Sequence, residues 1–340
     1  MDNISLSICI PVYKGSHLIQ EALKSLFKQK FTNYEVIIGE DTPPEYTDDI
    51  QQTEEIIKSF NDDRIKYYKN QTNLGSAINI KNIASRAKND IIFFLAQDDI
   101  LSKDALTIVS NVFKNNADVG VMARPYFWFM DDINKPVRAV LPYDENNDTI
   151  LTVFDGEREF MKIFETVGQV TGLAYRRKWL DVPFNEECFP GHIYPFAGIL
   201  REHKCMFIKD YIVAIGIADS QARNVSSIYD DSPIDSWLRM YKSVFAGDKY
   251  AQPRQWGIKH ICTNYFGLIQ LKNYANDGVL LKEIKIMLKE YPKNYTSLKF
   301  WFFALGTILT PKFVLRRLVD WYKENITANT NLKNKIKFEL

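Results

Sequence analysis

Cysteine and histidine are scarce in this chain, with four of each in 340 residues. Cys9, Cys188, Cys205 and Cys262 lie far apart, so neither a zinc site nor a disulfide-stapled scaffold is encoded. With Cys9 inside an apolar strand pattern, the expectation is a reduced, cytoplasmic protein. His17, His203 and His260 show no ligand spacing and read as core or surface residues. An excess of one charge is also missing. The 43 Lys and Arg against 42 Asp and Glu leave a net charge of +1, which excludes a general nucleic-acid binder. The apolar run near residues 300–309 is far shorter than the roughly 20 residues that span a bilayer. The opening residues read as a strand and not as a basic, apolar leader, so no export signal is expected. Repeats and low-complexity tracts are absent. At 46% hydrophobic and 25% charged residues, gross disorder is excluded as well.

What is present is alternation. Ile4-Ser5-Leu6-Ser7-Ile8-Cys9-Ile10-Pro11-Val12-Tyr13 is a β-rich run, and Leu18, Ile19, Ala22, Leu23, Leu26 and Phe27 follow at helical spacing. A second strand over 34–39 ends in Glu40-Asp41-Thr42-Pro43-Pro44. A helix with Ile56, Ile57 and Phe60 leads to a third strand over 64–68, and Asn73-Leu74-Gly75 precedes another helix over 76–87. The fourth strand, Ile91-Ile92-Phe93-Phe94-Leu95, is apolar on both faces and ends in Ala96-Gln97-Asp98-Asp99. Such a run suits a central parallel strand, and ligands of open α/β sheets bind outside the carboxyl ends of those strands. Two adjacent carboxylates there raise the folding free energy unless a cation compensates, and a divalent metal with an oxygen-rich substrate does so. The alternative is that Asp98 and Asp99 cap a helix starting near Ser102. Alternating elements with short connections predict right-handed βαβ units and a parallel sheet, with two acidic loops on one edge.

In order and spacing, Pro11-Val12-Tyr13, Glu40-Asp41, Asn73 and Gly75 with Asn82, and Asp98-Asp99 resemble family-2 nucleotide-sugar glycosyltransferases. The likeness is strong over the first third and continues more weakly to about residue 225. It implies an α/β, Rossmann-like GT-A fold: a mostly parallel sheet flanked by helices over 1–225, with a nucleotide part to about 120 and an acceptor part beyond. A helical region follows over 226–340. The activity implied is inverting transfer of a hexosyl group from a nucleoside-diphosphate sugar, a UDP-sugar above others, with Mg2+ or Mn2+. The acceptor implied is a lipid-linked glycan in bacterial surface polysaccharide synthesis.

By the same resemblance, Pro11 and Tyr13 lie against the nucleobase, and Asp41 accepts a hydrogen bond from the base ring, with Glu40 in place of the usual first acid. Asn73, Gly75 and Asn82 close over the nucleotide, and Gln97 and Asp98 face it. Asp98 and Asp99 are the metal ligands, while Ala96 replaces the first aspartate of the family's Asp-x-Asp motif. The family's base lies in a Glu-Asp pair about eight residues after Phe-Asp-Glu. Phe184-Asn185-Glu186 matches that segment, but the pair falls on His192-Ile193. His192, which titrates near neutrality on a loop that Pro190-Gly191 leaves exposed, is the first candidate base. Glu187 is the second. The bland alternative for His192 is a loop histidine bonded to a backbone carbonyl. Ala96 and the missing acidic pair keep open a sugar-nucleotide binding module without turnover. A sugar nucleotidyltransferase is the other alternative, though Pro11-Val12-Tyr13-Lys14-Gly15 is not its glycine-rich phosphate loop.

Further along, Tyr126-Phe127-Trp128-Phe129 reads as an aromatic strand, 136–149 as an exposed loop, and 205–217 as one final strand. Arg176 and Arg177 face either phosphate or solvent, and Asp219-Ser220-Gln221-Ala222-Arg223 occupies the place of a phosphate or metal loop. The helical C-terminal region carries Trp301, Phe302 and Phe303 near Lys312, Arg316 and Arg317. That pattern fits a helix pair lying on an anionic membrane, or else a core or dimer-contact helix.

Overall fold

A computed structural model describes residues 4–187, 190–218, 232–322 and 336–340. The chain opens as β1 (Leu6–Val12), α1 (Ile19–Phe27), β2 (Tyr34–Glu40), α2 (Thr47–Ser59), β3 (Ile65–Lys69), α3 (Ser76–Ser85) and β4 (Ile91–Phe94). It continues as β5 (Ile100–Leu101), α4 (Ala105–Asn115), β6 (Val119–Ala123), β7 (Tyr126–Phe129), β8 (Arg138–Val140), β9 (Thr149–Leu151) and α5 (Glu157–Val167). Then come β10 (Ala174–Arg176), α6 (Ile193–Glu202), β11 (Lys204–Phe207) and β12 (Val213–Gly216). The helices α7 (Pro233–Val244), α8 (Ala251–Cys262), α9 (Phe266–Tyr274), α10 (Asp277–Glu290), α11 (Leu298–Leu309) and α12 (Lys312–Tyr322) follow.

The main sheet has the order β3-β2-β1-β4-β10-β6-β11-β9. Strands β1, β2, β3, β4, β6 and β11 run one way, and β9 and β10 run the other. β4 is buried on both faces because helices cover both sides of the sheet, which is why its sequence is continuously apolar. A smaller sheet, β5-β12-β7-β8, sits beyond the carboxyl edge. The C-terminal helices join the sheet through aromatic packing. Phe164 of α5 meets Tyr241 of α7 at 5.2 Å between ring centroids, and the same core runs from Cys9 and Phe94 to Phe300 and Ala304 of α11.

Several local expectations change. The 136–149 segment is not all loop, since β8 pairs with β7. The single strand over 205–217 is two strands in different sheets. Asp98 and Asp99 do not cap a helix; α4 begins after Asp104. Arg176 and Arg177 lie at the opposite edge from the acidic loops. Arg176 is buried and donates to the carbonyls of Phe113, Asn116 and Val119, while Arg177 donates through its backbone to Asp90. Both are structural there.

Candidate active site

The carboxyl ends of β1, β2 and β4 converge on one edge, as the parallel pairing of these strands requires. At the end of β1 the backbone of Tyr13 is held at two points by the Gln97 side chain. Tyr13 N–H donates to Gln97 Oε1 at 2.9 Å, and Gln97 Nε2 donates back to the Tyr13 carbonyl at 2.8 Å. Gln97 is buried, and its amide positions the tyrosine. Lys14 follows in the left-handed region at φ 50°, where its N–H donates to Thr42 Oγ1 at 2.6 Å. Its ammonium lies 3.6 Å from the Tyr46 ring centroid.

Both acids at the end of β2 are buried. Glu40 accepts from the backbone and hydroxyl of Thr42 and, at 3.2 Å, from the Tyr67 hydroxyl. Asp41 Oδ1 accepts from Leu74 N and Asn70 Nδ2, each at 2.8 Å. Its Oδ2 accepts from Gly75 N at 2.9 Å and Asn73 Nδ2 at 3.1 Å. A carboxylate offers about four acceptor positions, so all are taken by the 70–75 loop. Asp41 therefore holds that loop. Burial raises the pKa of both acids above the ordinary carboxyl value, against the lowering effect of these bonds. Gly75 sits at φ 85°, a backbone that favours glycine, and starts α3; Asn82 lies half-buried on the second turn. Asp41→Ala is expected to lower stability by about 1–3 kcal/mol, the scale of donors left unpaired. Amide exchange at Leu74 and Gly75 should quicken. An unchanged unfolding free energy with unchanged exchange would detach Asp41 from the loop.

At the end of β4 the two aspartates part company. Asp98 is half-buried on the turn. Asp99 is buried, bonds to Thr171, and accepts from Gly216 N–H at 2.9 Å. Burial first, then the Asp98 charge, push its carboxyl well above the usual range. A group so enclosed anchors β12 under the turn. Gly216 is required there, because any Cβ would collide with the Asp98 carbonyl oxygen. Ala96 N–H donates to Thr171 Oγ1 at 2.8 Å. No cluster of three or more His, Cys, Asp or Glu stands ready for a metal among the described residues. One half-buried carboxylate still suits Mg2+ or Mn2+, which take one or two protein carboxylates plus substrate phosphates. Asp98 fits that role.

His192 is not on an exposed loop. It is buried at the start of α6, and Nε2 lies 2.8 Å from the carbonyl of Val167, the last residue of α5. A carbonyl only accepts, so Nε2 carries the proton. Burial depresses the ring to about 4. The bland alternative describes this residue, and its candidacy as the base is corrected. Glu187 is exposed, with its N–H donated to Asn185 Oδ1 at 2.8 Å, beside Glu186 in an ion pair with Lys81 of α3. The Asp219-Ser220-Gln221-Ala222-Arg223 segment lies outside the described residues.

A family model described as Glycosyl transferase family 2 matches residues 7–181, just over half of the chain. The chain belongs to that family. It is 31% identical over 117 residues to the UDP-Glc:alpha-D-GlcNAc-diphosphoundecaprenol beta-1,3-glucosyltransferase WfgD of Escherichia coli, covering 34% of this chain and 44% of that one. It is 32% identical over 103 residues to the GalNAc(5)-diNAcBac-PP-undecaprenol beta-1,3-glucosyltransferase of Campylobacter jejuni, covering 30% and 32%. The chain thus spans less than half the length of either relative. Among solved structures, Staphylococcus aureus TarS 1-349 in complex with UDP-GlcNAc superposes with a TM-score of 0.64 at 16% identity, over 94% of this chain and 92% of that one. That likeness shows the GT-A fold.

Within this family-2 fold, reasoning from sequence missed Arg124. Its guanidinium, wholly buried after β6, donates to the carbonyls of Thr171 at 2.8 Å, Thr166 at 2.9 Å and Gln169 at 2.8 Å. Burial lowers its pKa to about 10. It thereby shapes the loop that carries Thr171 to the β4 turn. Gly172, at φ 84° and tight against Arg124, completes the bend. The available signal was an arginine ending the apolar run Val119-Gly120-Val121-Met122-Ala123.

Proposed function

We propose that this chain is an inverting hexosyltransferase that moves a sugar from a UDP-sugar to a hydroxyl of a lipid-linked glycan. Family membership carries the reading, together with one observation: Tyr13, the Asp41-held 70–75 loop and Asp98 meet on a single sheet edge. The lipid-linked acceptor is supported by relatives whose names specify diphosphoundecaprenol and PP-undecaprenol substrates, and the UDP-sugar by the TarS complex. Such an acceptor places the protein on the cytoplasmic face of a membrane as a peripheral enzyme. Residues 1–225 are the catalytic unit in this reading, and 226–340 the helical attachment.

Pro11 and Tyr13 take the base, Tyr13 being locked by Gln97. The loop tied to Asp41 closes over the nucleotide from the α3 side. Asp98 would hold Mg2+ or Mn2+, which would supply positive charge to stabilise the departing diphosphate. Glu187 accepts the proton of the acceptor hydroxyl, whose oxygen attacks the anomeric carbon on the face opposite the departing diphosphate. Its exposure, against the burial of His192, favours it as the base.

A panel of nucleotide sugars tested for thermal stabilisation with Mn2+ checks this. UDP-sugars at about 100 times Kd should stabilise the fold by about 2.7 kcal/mol, and GDP- or ADP-sugars should not. Equal silence from every nucleotide would end the proposal. UDP-sugar binding without transfer or donor hydrolysis would favour the non-catalytic module that Ala96 supports.

A further inference from the structure

Helix α11 is apolar on both of its sides. Phe300, Ala304 and Thr307 are buried, the first two in the main core. Leu298, Phe302, Leu305 and Leu309 follow the helical repeat along the opposite side and are exposed, Phe302 by 75% and Leu309 by 76%. Lys299 is its single charged residue. Phe313, 65% exposed, continues the apolar surface onto α12. A helix apolar all round is ordinarily covered on both sides. None of the helices among the described residues is long and apolar enough to cross a membrane.

The charge around this face indicates what covers it. Between Glu290 and Asp320 there is no acidic residue, while Lys293, Lys299, Lys312, Arg316 and Arg317 are all present. Lys312 and Arg316 each reach a carbonyl at the end of α9 while staying exposed. Lys312 Nζ donates to the Ala275 carbonyl at 3.0 Å, and Arg316 Nη2 to that of Asn273 at 2.7 Å, closing the end of α9. Lys293, Lys299 and Arg317 remain exposed beside the apolar stripe. A second copy seated symmetrically would bring like charges together with no acid in the segment to answer them. An anionic lipid surface answers both the stripe and the charge.

We propose that the Leu298–Phe302–Leu305–Leu309 stripe of α11, with Phe313 of α12, lies flat on an anionic bilayer while Lys293, Lys299 and Arg317 meet its headgroups. The inference rests on the lipid-linked acceptor reading for its purpose. Co-sedimentation with vesicles of phosphatidylglycerol and phosphatidylcholine tests it. The parent should bind these vesicles, bind pure phosphatidylcholine poorly, and weaken as salt is raised. Phe302→Ser with Leu309→Ser and Phe313→Ser should reduce binding about tenfold or more at an unchanged melting temperature. Equal binding by the variant, or no binding by the parent, overturns the proposal. So does a vesicle-free dimer, seen by sedimentation velocity, that the variant abolishes. UDP stabilisation measured on the same preparations is independent. Its failure in the parent would count against the nucleotide-sugar reading and leave the membrane face standing.

Discussion

Asp98→Asn should lower kcat by about 10²–10³-fold, or about 2.7–4 kcal/mol, which is the scale for losing a preorganised stabiliser of developing charge. Asp98 is singled out because its neighbour is enclosed. Asp99 is fastened to Gly216 and Thr171 beneath the turn, leaving Asp98 as the half-buried carboxylate at the end of β4. The replacement is nearly isosteric, and the Asp98 backbone, which packs on Gly216, is unchanged. The melting temperature should therefore stay near that of the parent. Raising Mn2+ should recover little activity, because the missing group is the ligand itself. A variant that turned over like the parent would remove Asp98 from the reaction. Asp99→Asn provides the contrast, since its cost should appear in stability.

The largest expected change in stability is that of Arg124→Met, about 3–5 kcal/mol, since three carbonyls lose a charged donor at about 1–3 kcal/mol each. The side chain's volume is largely kept, but the carbonyls of Thr166, Gln169 and Thr171 lose their donor inside the protein. Arg124→Lys should recover less than half, because an ammonium cannot serve three carbonyls with the geometry of a fork. The damage reaches the site, since the same loop places Thr171 Oγ1 on Ala96 N–H and Thr171 on Asp99. Urea unfolding of parent and both variants decides it. An unfolding free energy for Arg124→Met within about 0.5 kcal/mol of the parent would refute the role.

The sequence by itself determined the parallel half of the sheet and the edge that carries chemistry. Continuous apolar runs such as Ile91-Ile92-Phe93-Phe94 are dictated by burial on two faces, and acids directly after them mark the carboxyl edge. Period and turn residues are local quantities, so β1 to β4 and α1 to α3 were legible from them. Which acid does what was not legible. Asp41, Glu40 and Asp99 resemble Asp98 in sequence, yet the first three are filled by donors from the 70–75 loop, from Thr42 and Tyr67, and from Gly216 with Thr171. Apart from Thr42, the partners that fill these acids lie 27 to 117 positions away, which no local pattern encodes. His192 and Arg124 follow the same rule. A histidine after Pro190-Gly191 reads as exposed until α5 supplies the Val167 carbonyl, and a strand-end arginine reads as surface until the 166–172 loop wraps it. Lys312 and Arg316 find backbone partners only because α9 ends beside them. Residue type sets what a side chain is able to do, and long-range packing sets whether its lone pairs and protons are still available to do it.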